Sequence, residues 1–191
     1  MNTSTTLASR LWPQVNSNTI LRNIVLAVLG SAVVAIAAQV NVPMYPVPMT
    51  LQTLAVLAIG AAFGARLGAA TLALYAVEGA AGLPVFAQMK AGVAVIAGPS
   101  GGYIIGFILA AALVGYLAER GWDKNMGKMI VASLLGAVVL YIPGLIWLHN
   151  AAPDWATTFA WGLTPFVVGD IAKALLAALG FQIAWSGLRH E

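Results

Sequence analysis

Two opposite charges stand three residues apart in an otherwise uncharged run, Asp170 and Lys173 within the stretch 159–185. On a helix that spacing puts both side chains on one face, within reach of each other. An ionised group at the bilayer centre costs about 2.5 to 3.5 kcal/mol on insertion scales unless it is paired or faces a polar cavity. The pair is therefore either a structural ion pair that glues helices together or part of a ligand site. In a ligand site the carboxylate accepts N–H donors and the ammonium binds an oxygen or a carboxylate. Pro165 and Gly169 loosen the turns just before Asp170, as expected where backbone reaches a cavity.

A second group of polar residues lies within 78–102, a stretch too rich in glycine and proline for one straight helix yet mostly apolar. A loop of about 20 such residues in a small protein is usually a lid or a binding segment. Its polar members are Glu78, Gln88 and Lys90. Folded over a pocket between helices, it sets Phe86 as an apolar wall and Gln88 as an amide that both donates and accepts. Lying on lipid headgroups, it is an amphipathic connector. The same two readings apply to the proline-rich turn 42–48, which is followed by Thr50 and Gln52.

Other chemistry is excluded. The run Gly98-Pro99-Ser100-Gly101-Gly102 lacks the Lys-Ser/Thr of a phosphate-binding loop, so this polypeptide does not hydrolyse ATP. His149 and His190 are the only histidines and are expected at opposite faces, which leaves neither a zinc site nor a Ser–His dyad. Asp154, in an outer loop, does not meet Asp170 as an acid pair. With no cysteine there is no disulfide, thiolate metal site or thiol nucleophile. The chain is not expected to be an enzyme, and no cofactor of its own is expected.

The elements that must position these groups are set by the solvent. Of 191 residues 61% are hydrophobic and 8% charged, with a mean hydropathy of +0.90, whereas a soluble domain is about a quarter charged. Fifteen charges do not coat a globule of 19.7 kDa, so most of the surface faces lipid. A soluble enzyme, a nucleic-acid-binding domain and a disordered chain are ruled out. A crossing needs roughly 20 apolar residues. The runs 24–42, 101–118, 129–148 and 159–185 meet that length, and two shorter ones, 51–64 and 67–77, flank Arg66. Reading the short runs as two crossings gives an all-α, polytopic protein of six transmembrane helices.

Lys and Arg are retained on the cytoplasmic side of short loops. With the N-terminus inside, Arg10, Arg22, Arg66, Arg120, Lys124, Lys128 and Arg189 all fall inside and only Lys90 outside. Both termini are thus expected in the cytoplasm. Arg22 and the run Ala35-Ile36-Ala37 also fit a signal peptide, but the apolar part is longer than the usual 7 to 15 residues and its removal unbalances the topology. The expected organisation is one membrane domain over 1–191: a frayed or surface-lying segment 1–20, a six-helix bundle 21–187 and a tail 188–191. Small residues recur every fourth position at Ala27, Ser31 and Ala35, and again at Gly102, Gly106 and Ala110, a device for close helix packing. The first stripe also offers a docking face for another membrane subunit.

The runs VPMTLQTLAVLAIGAAFG (47–64), YAVEGAAGLPVFA (75–87), AGPSGGYIIGF (97–107) and TPFVVGDIAKA (164–174) resemble those of the BioY family, the biotin-binding S components of energy-coupling-factor (ECF) vitamin transporters. They occur in order across most of 24–185. The resemblance implies a six-helix substrate-capture subunit of the cell membrane that takes biotin from outside. It implies partners too, a shared transmembrane T component and two ATPase subunits that carry the ATP. Asp170 and Lys173 match the family's ligand contacts, and Ala27, Ser31 and Ala35 match the spacing of its docking element. Ser31 and Ser100 depart mildly, since Ala and Thr are more usual there.

The candidate substrate-binding set is Asp170, Lys173, Gln88, Phe86, Glu78 and Tyr103. In this reading Asp170 accepts a ureido N–H, Gln88 completes that polar end, and Lys173 neutralises an anionic partner or binds a ligand oxygen. The rival is a proton-coupled small-solute carrier acting alone, with Asp170 and Lys173 as its relay.

Overall fold

The computed structural model describes residues 6–12 and 19–188, and apart from one short hairpin their regular elements are helical. α1 (Leu7–Leu11) and α2 (Thr19–Gln39) come first. β1 (Asn41–Val42) and β2 (Met49–Thr50) pair antiparallel across the proline-rich turn, with Asn41 opposite Thr50. α3 (Gln52–Phe63), α4 (Ala65–Ala80), α5 (Val93–Ala97), α6 (Gly101–Ala118), α7 (Met126–His149), α8 (Trp155–Gly162) and α9 (Val167–Gly187) follow. The expectations for Arg189, His190 and most of the tail lie outside the described residues.

Four of these helices, α2, α6, α7 and α9, are long and apolar enough to cross a membrane. At about 1.5 Å per residue their 18 to 24 residues reach roughly 27 to 36 Å. α3 and α4, with 12 and 16 residues, reach only about 18 and 24 Å. Gly64 alone joins them. Its φ of +85° is one that side chains rarely adopt, and a Cβ there would lie 2.4 Å from Glu119 Oε1. That same carboxylate oxygen accepts the Ala65 N–H at 2.9 Å, satisfying an otherwise unpaired donor at the start of α4. Beyond the turn the chain doubles back, so that a Cβ on Gly68 would meet Gly60 Cα at 3.1 Å.

The helices alternate in direction. α6 and α7 run antiparallel with their backbones in close approach. A Cβ on Gly102 would fall 2.2 Å from the Pro143 carbonyl oxygen, and one on Gly106 would fall 2.5 Å from that of Leu140. The second small-residue stripe is thus an internal seam. At one end of the bundle Tyr75, Phe86, Tyr103, Phe107, Leu140 and Phe166 form a core, and at the other end Leu57, Val114, Met129, Phe181 and Trp185 form a second. Leu7 of α1 packs on the second core, and Arg22 donates to the Ala8 carbonyl at 3.2 Å. Residues 6–12 are therefore a docked turn of helix, and Thr19 and Ile20 already belong to α2.

The expectation of one long span over 159–185 is corrected. Proline has no N–H, and it disfavours helical backbone in the residue before it. With Pro165 in the way, α8 ends at Gly162 and α9 begins at Val167. Asp170 consequently lies in the first turn of α9, where the positive end of the helix dipole favours a carboxylate.

Candidate functional site

A cavity of about 290 Å³ opens at the end of the bundle where α2, α4 and α7 finish and α3, α6 and α9 start. Its lining is mostly apolar: Val47, Val95, Ile104, Phe107, Leu140 and Phe166 are representative, with Phe86 and Tyr103 among the larger walls. Polar groups are few, namely Thr50, Gln52, Thr53, Lys90, Ser100 and the phenols of Tyr75, Tyr103 and Tyr141. An apolar pocket with a handful of placed polar groups is the usual form of a small-molecule site, and the volume is near the lower end of the range, about 300 Å³.

Both irregular segments singled out in the sequence enclose it. The turn at 46–48 forms one lip, and the segment from Phe86 to Ser100, folded as a 3-10 turn and then α5, forms the other. Gln39 at the end of α2 clamps that second lip, its Nε2 donating to the Phe86 carbonyl and its Oε1 accepting from the Met89 N–H, each at 3.1 Å. Gln88 and Met89 both have positive φ, 61° and 58°, a conformation uncommon outside glycine. Ala87 and Lys90 on either side of them line the cavity. Phe86 is wedged beneath the lip: its ring meets Tyr75 edge-on at 5.6 Å, and a Cβ on Gly79 would fall 2.1 Å from it.

The sequence candidates separate into three groups. Phe86 and Tyr103 line the cavity. Asp170 and Lys173 are buried together, Lys173 Nζ lying 3.1 Å from Asp170 Oδ1, and neither is among the lining residues. Tyr141 bridges the two: it lines the cavity and its hydroxyl donates to Asp170 Oδ2. Gln88 is exposed and outside the lining, and Glu78 accepts from Ser31 at 3.1 Å rather than facing the cavity.

That last contact also bears on the α2 stripe. Ser31 is buried against α4, and Ala27 and Ala35 are half-buried, so only the alanines of the stripe are partly exposed. The outward face of α2 is formed by larger apolar residues, among them Ile24, Val28 and Ile36.

Sequence reasoning missed Tyr75 and Tyr141. Each is one aromatic residue in an apolar helix, with nothing local to separate it from packing. Tyr75 is held from both sides, accepting from Gln52 Nε2 at 2.7 Å and donating to the Val85 carbonyl at 3.0 Å. Tyr103 donates to the Gly162 carbonyl at 2.9 Å and stands edge-on to Tyr141, centroids 6.1 Å apart. Lys90 is exposed at the mouth, and its ammonium makes no ion pair among the described residues.

The sequence model of the BioY family matches residues 4–190. The chain belongs to the BioY family. Relatives within BioY include the "Biotin transporter BioY" of Thermotoga maritima, 35% identical over 83% of this chain and 93% of that one. The "Probable biotin transporter BioY" of Pyrococcus horikoshii is 36% identical over the same two shares. A crystal structure described as the S-component for biotin from an ECF-type ABC transporter superposes with a TM-score of 0.78 at 25% identity, covering 93% of this chain and 95% of that one. The BioY relatives named here are transporters, and with four spanning-length apolar helices this BioY chain is an integral membrane protein.

Proposed function

We propose that this chain is the substrate-capture subunit for biotin, taking the vitamin into the 290 Å³ cavity from outside the cell membrane and delivering it inward as part of an ATP-driven ECF transporter. The observation that carries the reading is the cavity itself: an apolar chamber with polar groups at separate places, in a chain whose relatives are named biotin transporters. Biotin has the matching layout. Its thiophane ring and valeryl chain are apolar, its ureido ring carries two N–H donors and a carbonyl, and its tail ends in a carboxylate. Phe86 and Tyr103 serve as walls, Asp170 and Lys173 act as the charged backing of the Tyr141 side, and Lys90 at the mouth suits the carboxylate.

Six crossings with both termini in the cytoplasm are part of this proposal. The alternation of α2, α3, α4, α6, α7 and α9 supports it, as does the placing of charge: Arg10, Arg22, Arg66, Arg120, Lys124 and Lys128 lie toward the end away from the cavity, while Lys90 lies at the cavity. The excess of cations marks the cytoplasmic side, which turns the cavity outward. Hydrolysis of ATP falls to partner subunits, with a transmembrane T component between them and this chain. The chain needs no cofactor of its own.

Purification in detergent after growth with biotin, followed by assay of the released ligand, tests the capture role: biotin copurifies in stoichiometric amount. A chain that copurifies without biotin and shows no calorimetric binding of it defeats the proposal. Uptake into vesicles should require ATP and coexpressed partners. Uptake by the chain alone under a pH gradient would instead identify a proton-coupled carrier.

A further inference from the structure

A second hollow, sharing no lining residue with the cavity, opens on the flank of the bundle between α3 and α9. It is a groove of about 250 Å³ lined by Leu54 and Ala58, by Leu176, Gly180 and Ala184, and by Leu7 of α1. Every residue that lines it is apolar, and Leu176 on its rim is exposed, so it faces lipid. Small side chains hollow it out: a Cβ on Gly180 would meet nothing within 4 Å. Leu54 stands nine residues before the end of α3 and Leu176 eleven before the end of α9. At about 1.5 Å per residue the groove therefore reaches roughly 14 to 17 Å from the inner ends of these helices. That is the depth of one leaflet, half of a hydrocarbon core of about 30 Å.

Cations gather at its inner end. Leu7 and Arg10 stand three apart on α1 and share a face, which puts the Arg10 guanidinium one turn from the groove. Arg10 is exposed and makes no ion pair among the described residues. The buried Arg22 donates to the carbonyl of Ala8, the residue after Leu7, and its Nε has no hydrogen-bond partner among the described residues. Leu11 and Trp12, which follow Arg10, are exposed, and tryptophan is enriched at the headgroup level of a membrane.

We propose that this groove seats one phospholipid with an anionic headgroup, its acyl chain lying between α3 and α9 and its phosphate against Arg10, with Arg22 adding to the positive field. The orientation proposed above makes it a lipid of the cytoplasmic leaflet; the site itself does not depend on the biotin reading. Such a lipid matches the groove in three respects: its chain is apolar, it ends within one leaflet, and its charge sits where the cations are. A partner's transmembrane helix would continue past the inner end of α3. The start of α1 occupies that place, since a Cβ on Gly64 would lie 3.2 Å from Thr6 Cγ2.

The test is native mass spectrometry of the full chain, freed of lipid in detergent and titrated with palmitoyl-oleoyl phosphatidylglycerol or phosphatidylcholine. The wild type should hold one phosphatidylglycerol and prefer it over phosphatidylcholine by about fivefold or more, the worth of one cation near a membrane surface. Arg10→Gln should cut that preference by about fivefold. Gly180→Leu fills the groove and should weaken both lipids by at least about tenfold, because each methylene that leaves the groove is worth about fourfold. A lipid-free melting temperature near that of the wild type shows that this variant is folded; if it is not, Arg10→Gln decides alone, and an unchanged preference overturns the assignment. Several equivalent lipids bound without headgroup preference and untouched by Gly180→Leu are bulk annular lipid, and they overturn it too. So does a Gly180→Leu chain that keeps its phosphatidylglycerol but loses a second copy or a copurifying T component, since the groove then holds a protein helix.

Discussion

Removing the lysine of the buried pair should unfold the protein more readily than removing the pair. In the native chain the side chains of Lys173 and Asp170 are 9% and 7% exposed and 3.1 Å apart, and Tyr141 is the other donor to the carboxylate. Lys173→Met leaves that carboxylate buried with the phenol as its remaining partner. Breaking one side of a buried pair costs about 3 to 5 kcal/mol. At about 2 to 4 °C per kcal/mol for a chain of this size, the melting temperature should drop by roughly 6 to 20 °C. The triple variant Tyr141→Phe, Asp170→Leu, Lys173→Met removes both charges and the hydroxyl that would be stranded with them, and apolar replacement of a buried ion pair is often neutral or stabilising. It should recover most of the lost stability without recovering biotin binding. Thermal melts in detergent, with and without biotin, separate the two effects, because bound ligand adds RT ln(1 + [L]/Kd) only where capture survives. A Lys173→Met variant that melts within about 2 °C of the wild type, less than 1 kcal/mol by the same conversion, would refute the reasoning.

Other outcomes follow from the same structure. Lys90→Ala should weaken biotin by only about two- to fivefold, the worth of an exposed ion pair, and should leave biotin amide unaffected in the same titration. Gly106→Val forces atoms against the Leu140 backbone oxygen, which a Cβ alone would approach to 2.5 Å, and should destabilise the bundle by at least the roughly 1 to 3 kcal/mol of ordinary overpacking in a thermal melt. Asp123, buried in the loop between α6 and α7, has its carboxyl pushed above the ordinary range by burial, which the Trp185 indole N–H and Lys124 offset only in part. A folded-state pKa above the unfolded value means that protonation favours the fold, so this group's contribution is full below the unfolded pKa and is lost as pH rises through the folded one. Asp123→Asn should flatten the fall in melting temperature above the ordinary carboxylate range; an unchanged slope would remove Asp123 as its source.

Much of this was legible because lipid imposes hard constraints. Run length gave α6 and α7 to within a few residues, and the Asp170–Lys173 spacing gave a pair that the fold does bury together. Pro165 was read as loosening a helix when it in fact divides one, because the apolar run continues on both sides and hydropathy alone does not register a missing N–H. The cavity lips were readable as irregular segments, yet the choice of Lys90 over Gln88 as a lining residue was not. It depends on two left-handed residues that swing Gln88 and Met89 out of the lining, and a sequence gives little warning of positive φ at non-glycine positions. Tyr141 was hidden for another reason. Its role comes from a contact across 29 residues of chain, which no local spacing encodes.

The glycine seam between α6 and α7 limits how the chamber opens. Backbones that already touch at Gly102 and Gly106 have no slack to give, and parting them would strand the tightly packed surface between those glycines and Leu140 and Pro143. That side behaves as a fixed jaw. The segment that lips the cavity is instead pinned by isolated side-chain bonds, Gln39 at the tip of α2 holding Phe86 and Met89 and the Trp147 indole N–H of α7 holding the Gly98 carbonyl.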